Sequence, residues 1–265
     1  MKYHNFKIMG ILNITPDSFS DGGDNFEMSN VIANVEDMVT NSVDIIDIGG
    51  ESTRPSAQAV DIKEEINRVI PIIKILKKIY PKIQLSIDTT KYDVAKMALD
   101  NGVDIINDVS GLQFEPKFAE LAAQYNAGLV IMHMQGNPKI MQSKPYYFDV
   151  VEEVYYFLNE KVELAKSFGV KKIWSDVGIG FGKTFEHNIQ LLKNLDKFNK
   201  IGVPQLLGIS RKSFLKNILE IDNPKERDLG TVLLHTLLLT KGIDILRVHN
   251  VQNLNTLRKL IREII

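Results

Sequence analysis

The segment Ser42-Val43-Asp44-Ile45-Ile46 has two close counterparts later in the chain, Gly102-Val103-Asp104-Ile105-Ile106 and Gly242-Ile243-Asp244-Ile245-Leu246. Each reads as a helix stop, a tight turn and the start of a buried strand. Working outward, short β-branched runs recur at 8–14, 44–50, 84–89, 104–109, 128–134, 172–177, 204–210 and 244–250. Between them lie helix-length stretches with apolar residues three and four apart. Val31, Val35, Met38 and Val39 share one face of 29–40, and Ile66, Val69, Ile70, Ile73, Ile75 and Leu76 form a stripe within 62–80. Strict alternation of strand and helix predicts an α/β protein with a parallel sheet under helical cover. Eight such units in 265 residues predict a single-domain (β/α)8 TIM barrel over 1–265, a fold that typically takes ~250 residues. A doubly wound open sheet is the runner-up, but no G-x-G-x-x-G follows the first strand.

Composition narrows the function. Thirty-two Lys and Arg balance 33 Asp and Glu, for a formal charge of −1, so nothing electrostatic points to nucleic acid. With no cysteine, thiolate metal sites, disulfides and Cys nucleophiles are excluded. The N-terminus runs straight into a strand-like segment without signal-peptide features. The longest apolar stretch is broken by His235 and Thr236 and is too short for a bilayer. The expectation is a cytoplasmic protein without membrane partners.

Strands buried on both faces should stay apolar, yet these runs end in Asn13, Asp47, Asp88, Asn107 with Asp108, His133, Asp176, Ser210 with Arg211, and Arg247 with His249. In a barrel these ends converge on the face where active sites lie. Asp47 reads equally well as a ligand contact or as a paired polar residue of the barrel interior. His133 reads as a wall of the site rather than a metal ligand, since no second His stands at ligand spacing. His4, His187 and His235 read as surface or helix residues. Two βα connections are long, from Thr15 through Phe19, Gly22 and Gly23 to about Met28, and from Glu51 through Arg54 to Val60. Connections of this length suggest lids over the C-terminal face. Ser210-Arg211-Lys212-Ser213 precedes an apolar helix, whose N-terminus favours an anion. Gly178, Gly180 and Gly182 flank Ile179 and Phe181 and let backbone approach a flat ligand.

Together these motifs resemble the dihydropteroate synthase family. The matching stretches run from Gly10 to Gly23, Gly49 to Pro55, Ser86 to Thr89, Ile106 to Gly111, Met132 to Gly136, Asp176 to Lys183, Ser210 to Ser213, and Arg247 to His249, in the family's order. The likeness is to its monofunctional, bacterial-type form. It implies that 6-hydroxymethyl-7,8-dihydropterin diphosphate and p-aminobenzoate are joined into 7,8-dihydropteroate with release of diphosphate, in folate biosynthesis, and that sulfonamides bind. It further implies a pterin pocket of Asp88, Asn107, Met132, Asp176, Phe181, Lys212 and Arg247. The diphosphate would meet Asn13, Thr53, Arg54, Arg247 and His249, with Mg2+ held at Asn13. The p-aminobenzoate would lie among Phe19, Thr53, Arg54, Pro55, Phe181, Lys212 and Ser213. Catalysis would rest on Lys212, Arg247, His249 and Asp88 in an SN1-like course, and the late helices would form a homodimer. Val177, Ser56 and Asn250 depart from the family's usual Pro, Gly and Asp. The competing expectations are a methyltetrahydrofolate-binding methyltransferase-type barrel, which would not use a diphosphate site, and an inert pterin-binding barrel.

Overall fold

Eight parallel strands close on themselves in chain order, each paired with the next and β8 returning to β1. They are β1 Lys7–Asn13, β2 Ile45–Gly49, β3 Gln84–Asp88, β4 Ile105–Asp108, β5 Gly128–Met132, β6 Lys172–Asp176, β7 Gln205–Leu207 and β8 Ile243–Val248. The structure is a computed structural model that describes residues 6–14, 24–52, 59–136 and 141–264, with backbone alone for 24–27. Ten α-helices occur among these residues: α1 Asp24–Thr40, α2 Ile62–Ile79, α3 Tyr92–Asp100, α4 Phe118–Gln124, α5 Val150–Ser167, α6 Phe185–Lys193, α7 Leu195–Phe198, α8 Ser213–Leu219, α9 Asp228–Leu238 and α10 Val251–Ile264. No described helix is long and apolar enough to cross a membrane.

The TIM barrel expected from the eightfold alternation is the fold observed. The three related junctions turn through left-handed backbone, with φ of 59° at Ser42, 90° at Gly102 and 85° at Gly242. Each feeds a buried strand. Strand ends differ from the sequence expectation by a residue or two, except on β7, which keeps ladder bonds over only three residues. Its register shifts between Gln205 and Leu206, and the chain beyond Leu207 leaves the sheet to form the polar loop that carries Ser210. The first long connection is shorter than expected, because α1 begins at Asp24 rather than near Met28.

Side chains alternate across each strand. One set, with Ile8, Leu12, Ile46, Ile48, Leu85, Ile87, Ile106, Leu129 and Ile131, packs outward against the helices in the main core. The other set fills the barrel with Met9, Ile45, Ile105, Val130, Trp174, Leu206 and Ile245. This interior plug fixes the site. Two residues further along the strands, pointing the same way, stand Asp47, Asn107, Met132, Asp176 and Arg247, with Gly208 beyond β7.

Candidate active site

The layer above the plug is charged. Arg247 donates from Nε to Asp47 Oδ2 at 2.6 Å and from Nη2 to Asp88 Oδ2 at 2.7 Å. Asn107 Nδ2 donates to the same Asp47 oxygen at 3.0 Å. Asp47 therefore serves as a paired interior residue beneath Asn107 and Arg247, one of the two roles its position allowed. Its other oxygen has no partner among the described residues. Asp88 is almost fully buried, and burial, outweighing the neighbouring Arg247, pushes its carboxyl up to about 7. Burial also opposes charge on Arg247, but Asp47 and Asp88 hold the guanidinium protonated. Gly208 keeps this space open: a Cβ there would lie 3.8 Å from Arg247 Cβ and 3.9 Å from Asp176 Oδ2.

Asp176 ends β6 and accepts from Gly178 N at 2.8 Å. Burial raises its pKa against the pull of Lys212. Lys212 is the N-cap of α8 and reaches back over the pocket, where its Nζ donates to the Ile179 carbonyl and stands 4.7 Å from the Phe181 ring centroid. Burial lowers its pKa to about 8, opposed by Asp176. Gly180 makes the crossing possible, because a Cβ there would come within 3.3 Å of Lys212 Cδ. Phe181 packs beside Val109, Met132, Met134 and Met141 as an apolar wall. Four strand-end residues, Asp88, Asn107, Asp176 and Arg247, thus come together with Lys212 around one acidic cluster that carries two cations. Met132 and Phe181, which only the family resemblance assigns to the pterin pocket, form an apolar group beside it.

At the rim, Asn13 and Asp88 flank Gly49, whose added Cβ would sit 3.6 Å from Asn13 Oδ1 and 3.7 Å from Asp88 Cβ. No group of three or more His, Cys, Asp or Glu that could hold a metal occurs among the described residues. Asn13 is half-buried, and a lone amide oxygen suits a hard cation that keeps several waters and takes the rest of its ligands from a phosphate. His249 Nδ1 lies 3.0 Å from Ser210 Oγ, which also receives the His249 N–H at 3.2 Å. Ser213 opens α8 and is exposed. Phe19, Thr53, Arg54, Pro55, Ser56 and His4 lie outside the described residues. The base of the second long connection is described: Glu51 accepts from Val60 N at 3.1 Å and from Lys91 Nζ at 2.5 Å.

Several strand-end residues stand apart from the pocket. Asp108 accepts from Ser110 N at 2.8 Å, Ser110 Oγ at 2.6 Å and Leu112 N at 2.6 Å, and so folds the loop after β4. Arg211 forms a two-point pair with Asp228 at 2.6 Å for each bond. Asn250 Nδ2 donates to the same Asp228 at 3.2 Å, which gives this departure from the usual Asp a physical account, since a carboxylate there would face Asp228. His235 lies on α9 as expected, but it is fully buried, with neither ring nitrogen partnered among the described residues. One pair escaped the sequence reading altogether. Lys183 is buried and donates to the His133 and Phe181 carbonyls at 3.2 and 3.0 Å, and its Nζ lies 2.9 Å from His133 Nδ1. Burial and Lys183 push His133 down to about 2, so the imidazole is neutral, and burial also pushes the Lys183 amine well below the usual lysine value. The only sequence signal was a lysine closing a glycine-rich loop.

The family model described as pterin binding enzyme matches residues 9–249. A relative named dihydropteroate synthase from Synechocystis is 47% identical over 247 residues, covering 92% of this chain and 85% of that protein. The chain belongs to the dihydropteroate synthases of the pterin binding enzyme family. Two solved members of the family show the same fold. The dihydropteroate synthase of Clostridium difficile, solved in the presence of pteroic acid, superposes with a TM-score of 0.90 at 44% identity, covering 98% of this chain and 97% of that one. That of Xanthomonas albilineans with 4-aminobenzoic acid gives 0.91 at 37% identity, over 100% and 94%.

Proposed function

We propose that this chain catalyses the dihydropteroate synthase reaction in folate biosynthesis, joining 6-hydroxymethyl-7,8-dihydropterin diphosphate to p-aminobenzoate with release of diphosphate. The observation that carries this reading is the pocket of Asp88, Asn107, Asp176, Lys212 and Arg247 on the open end of the barrel. A reduced pterin offers a row of N–H donors beside a ring carbonyl. Carboxylates and an amide oxygen accept the donors, and a lysine donates to the carbonyl. The room that Gly180 leaves for the Lys212 stem supports that role, and Arg247 offers a planar face for stacking.

The leaving diphosphate requires positive charge and hydrogen-bond donors. Arg247 and His249 supply them from the last strand and its end, with Asn13 across the rim; the family resemblance adds Thr53 and Arg54. Asn13 is the residue that would hold Mg2+, and the ion would supply charge neutralisation on the diphosphate oxygens. The chain's own contribution is electrostatic and positional. The carboxylates of Asp88 and Asp176 favour positive charge building on the pterin methylene as diphosphate departs. Met132 and Phe181 exclude water from that carbon. The amine of p-aminobenzoate is neutral at pH 7, so it attacks without a strong base once its ring is held by Phe181 and the stem of Lys212. Its carboxylate then faces the start of α8 at Ser213, with Phe19, Thr53, Arg54 and Pro55 completing the site by resemblance. This order of events, with bond breaking ahead of bond making, is the SN1-like course.

A homodimer is part of the same reading. Leu229, Leu233 and Leu237 repeat every four residues along α9 and are 66%, 57% and 75% exposed, and Leu260 and Ile264 continue the apolar surface on the neighbouring α10. Sedimentation at twice the chain mass supports the homodimer, and a monomer at micromolar concentration removes it. The activity is tested by turnover of the pterin diphosphate with labelled p-aminobenzoate, with Mg2+ and then with excess EDTA. One diphosphate released per labelled dihydropteroate, with strong loss in EDTA, is the expected result. Pterin diphosphate that binds without product formation would indicate an inert barrel, and undiminished turnover in EDTA would remove the metal from Asn13.

A further inference from the structure

Asp47 is wholly buried, yet only one of its oxygens is used, and both of its donors belong to the pocket: Asn107 Nδ2 at 3.0 Å and Arg247 Nε at 2.6 Å. The other oxygen, Oδ1, is buried without a partner among the described residues, as is Ser86 Oγ on the in-register neighbour. A buried carboxylate half satisfied in this way is costly, and its cost serves nothing in the barrel plug beneath it. An amide side chain can present either its oxygen or its nitrogen to a ligand, and what holds one end determines which. Because Asp47 accepts from Nδ2, the Asn107 carbonyl oxygen is left for the pocket. The same oxygen anchors Arg247 at Nε, which leaves Nη2 for Asp88.

We propose that Asp47 is a positioning residue that sets the polarity of the pterin pocket: it fixes the Asn107 amide with its oxygen towards the ligand and seats the Arg247 guanidinium. The proposal rests on the reading of this pocket as the pterin site. It goes beyond that reading in giving the donor-edge specificity to a side chain that does not touch the ligand.

The test uses the whole protein and three variants, with pterin diphosphate binding measured by calorimetry and p-aminobenzoate KM measured at saturating pterin diphosphate. Asp47→Leu removes the acceptor while keeping the same branched heavy-atom skeleton, freeing the amide to turn, and should weaken pterin binding at least about tenfold with little change in p-aminobenzoate KM. Asp47→Asn can keep an oxygen towards both donors and should stay within about threefold of wild type. In the Asp47→Leu background, Asn107→Asp offers an oxygen whichever way it turns, and should recover much of the lost affinity. Equal weakness of the Asn and Leu variants would overturn the proposal, as would failure of Asn107→Asp to recover binding. If Asp47→Leu does not fold, the wild-type protein still decides. Side-chain NMR of 15N-asparagine-labelled protein, with Asn107 assigned by substitution, should show one slowly exchanging Nδ2 proton, and exchange at the rate of exposed amides would refute it. A wild type that does not bind the pterin diphosphate would instead fail the functional reading, whereas unchanged binding in Asp47→Leu fails only this one.

Discussion

Arg247→Ala would remove the cation that lies between Asp47 and Asp88. Deleting one partner of a buried ion pair costs about 3–5 kcal/mol, because the other charge is left without compensation. The Arg247 side chain keeps 19% of its surface open to the pocket, which places the expected loss near the lower limit, about 3 kcal/mol. The loss should also depend on pH. In the intact protein burial already raises Asp88 to about 7 against the opposing effect of Arg247, and without the guanidinium the carboxyl must rise further. A carboxyl whose folded pKa exceeds its unfolded value makes the native state hold more protons, so stability falls as pH rises from the unfolded pKa to the folded one. The variant therefore continues to lose stability above about pH 7, where the Asp88 contribution in wild type has levelled off. Urea unfolding at about pH 6 and about pH 8 measures the gap, which should be wider at the higher pH, with an unchanged m-value. Adding Asp88→Asn to Arg247→Ala removes the stranded charge and should restore part of the loss. A gap below about 1 kcal/mol at both pH values, or no recovery in the double variant, would refute the reasoning.

Two further outcomes follow from the same geometry. The pH profile of kcat/KM reports groups of the free enzyme, so it should fall below about 7, where Asp88 takes up a proton, and above about 8, where Lys212 loses one. Lys212→Arg, where active, should abolish the upper limb, and a profile flat from about pH 6 to about pH 9 would separate both groups from the chemistry. Gly178→Ala places a Cβ 1.9 Å from the His133 carbonyl at a φ of +66°. Left-handed backbone alone costs about 1–2 kcal/mol for a non-glycine residue, and the clash adds to it. Denaturant unfolding should show a loss above about 2 kcal/mol, and a loss under about 0.5 kcal/mol would mean that the loop moves freely to accept the methyl group.

The barrel was legible because its signals are local. Left-handed turns at Ser42, Gly102 and Gly242, followed by β-branched runs, mark where strands begin, and helical spacing marks what covers them. The pocket was legible for a related reason: a charged residue at the end of an apolar strand has few structural uses, so Asp88, Asn107, Asp176 and Arg247 stood out. Pairing was not legible. Asp47 and Arg247 are 200 residues apart, and nothing in either segment tells whether Asp47 contacts a ligand or holds another side chain. The same holds for Lys183 and His133, 50 residues apart, and for Arg211, which looks like a site cation in the chain and turns to Asp228 in the fold. His235 shows the converse: its helical setting was readable, while its burial depends on how α9 packs.

The most direct test of the central claim, that the acidic end of the barrel is where the pterin sits, is steady-state kinetics of Asp176→Asn with each substrate varied at saturating levels of the other. Asp176 keeps its shape in this change but loses the charge that accepts the pterin donors, and a hydrogen bond to a charged group contributes about 1.5–3 kcal/mol. The KM for the pterin diphosphate should rise about tenfold or more, while that for p-aminobenzoate stays within about threefold. Equal increases for both substrates, or none for the pterin, would contradict the assignment.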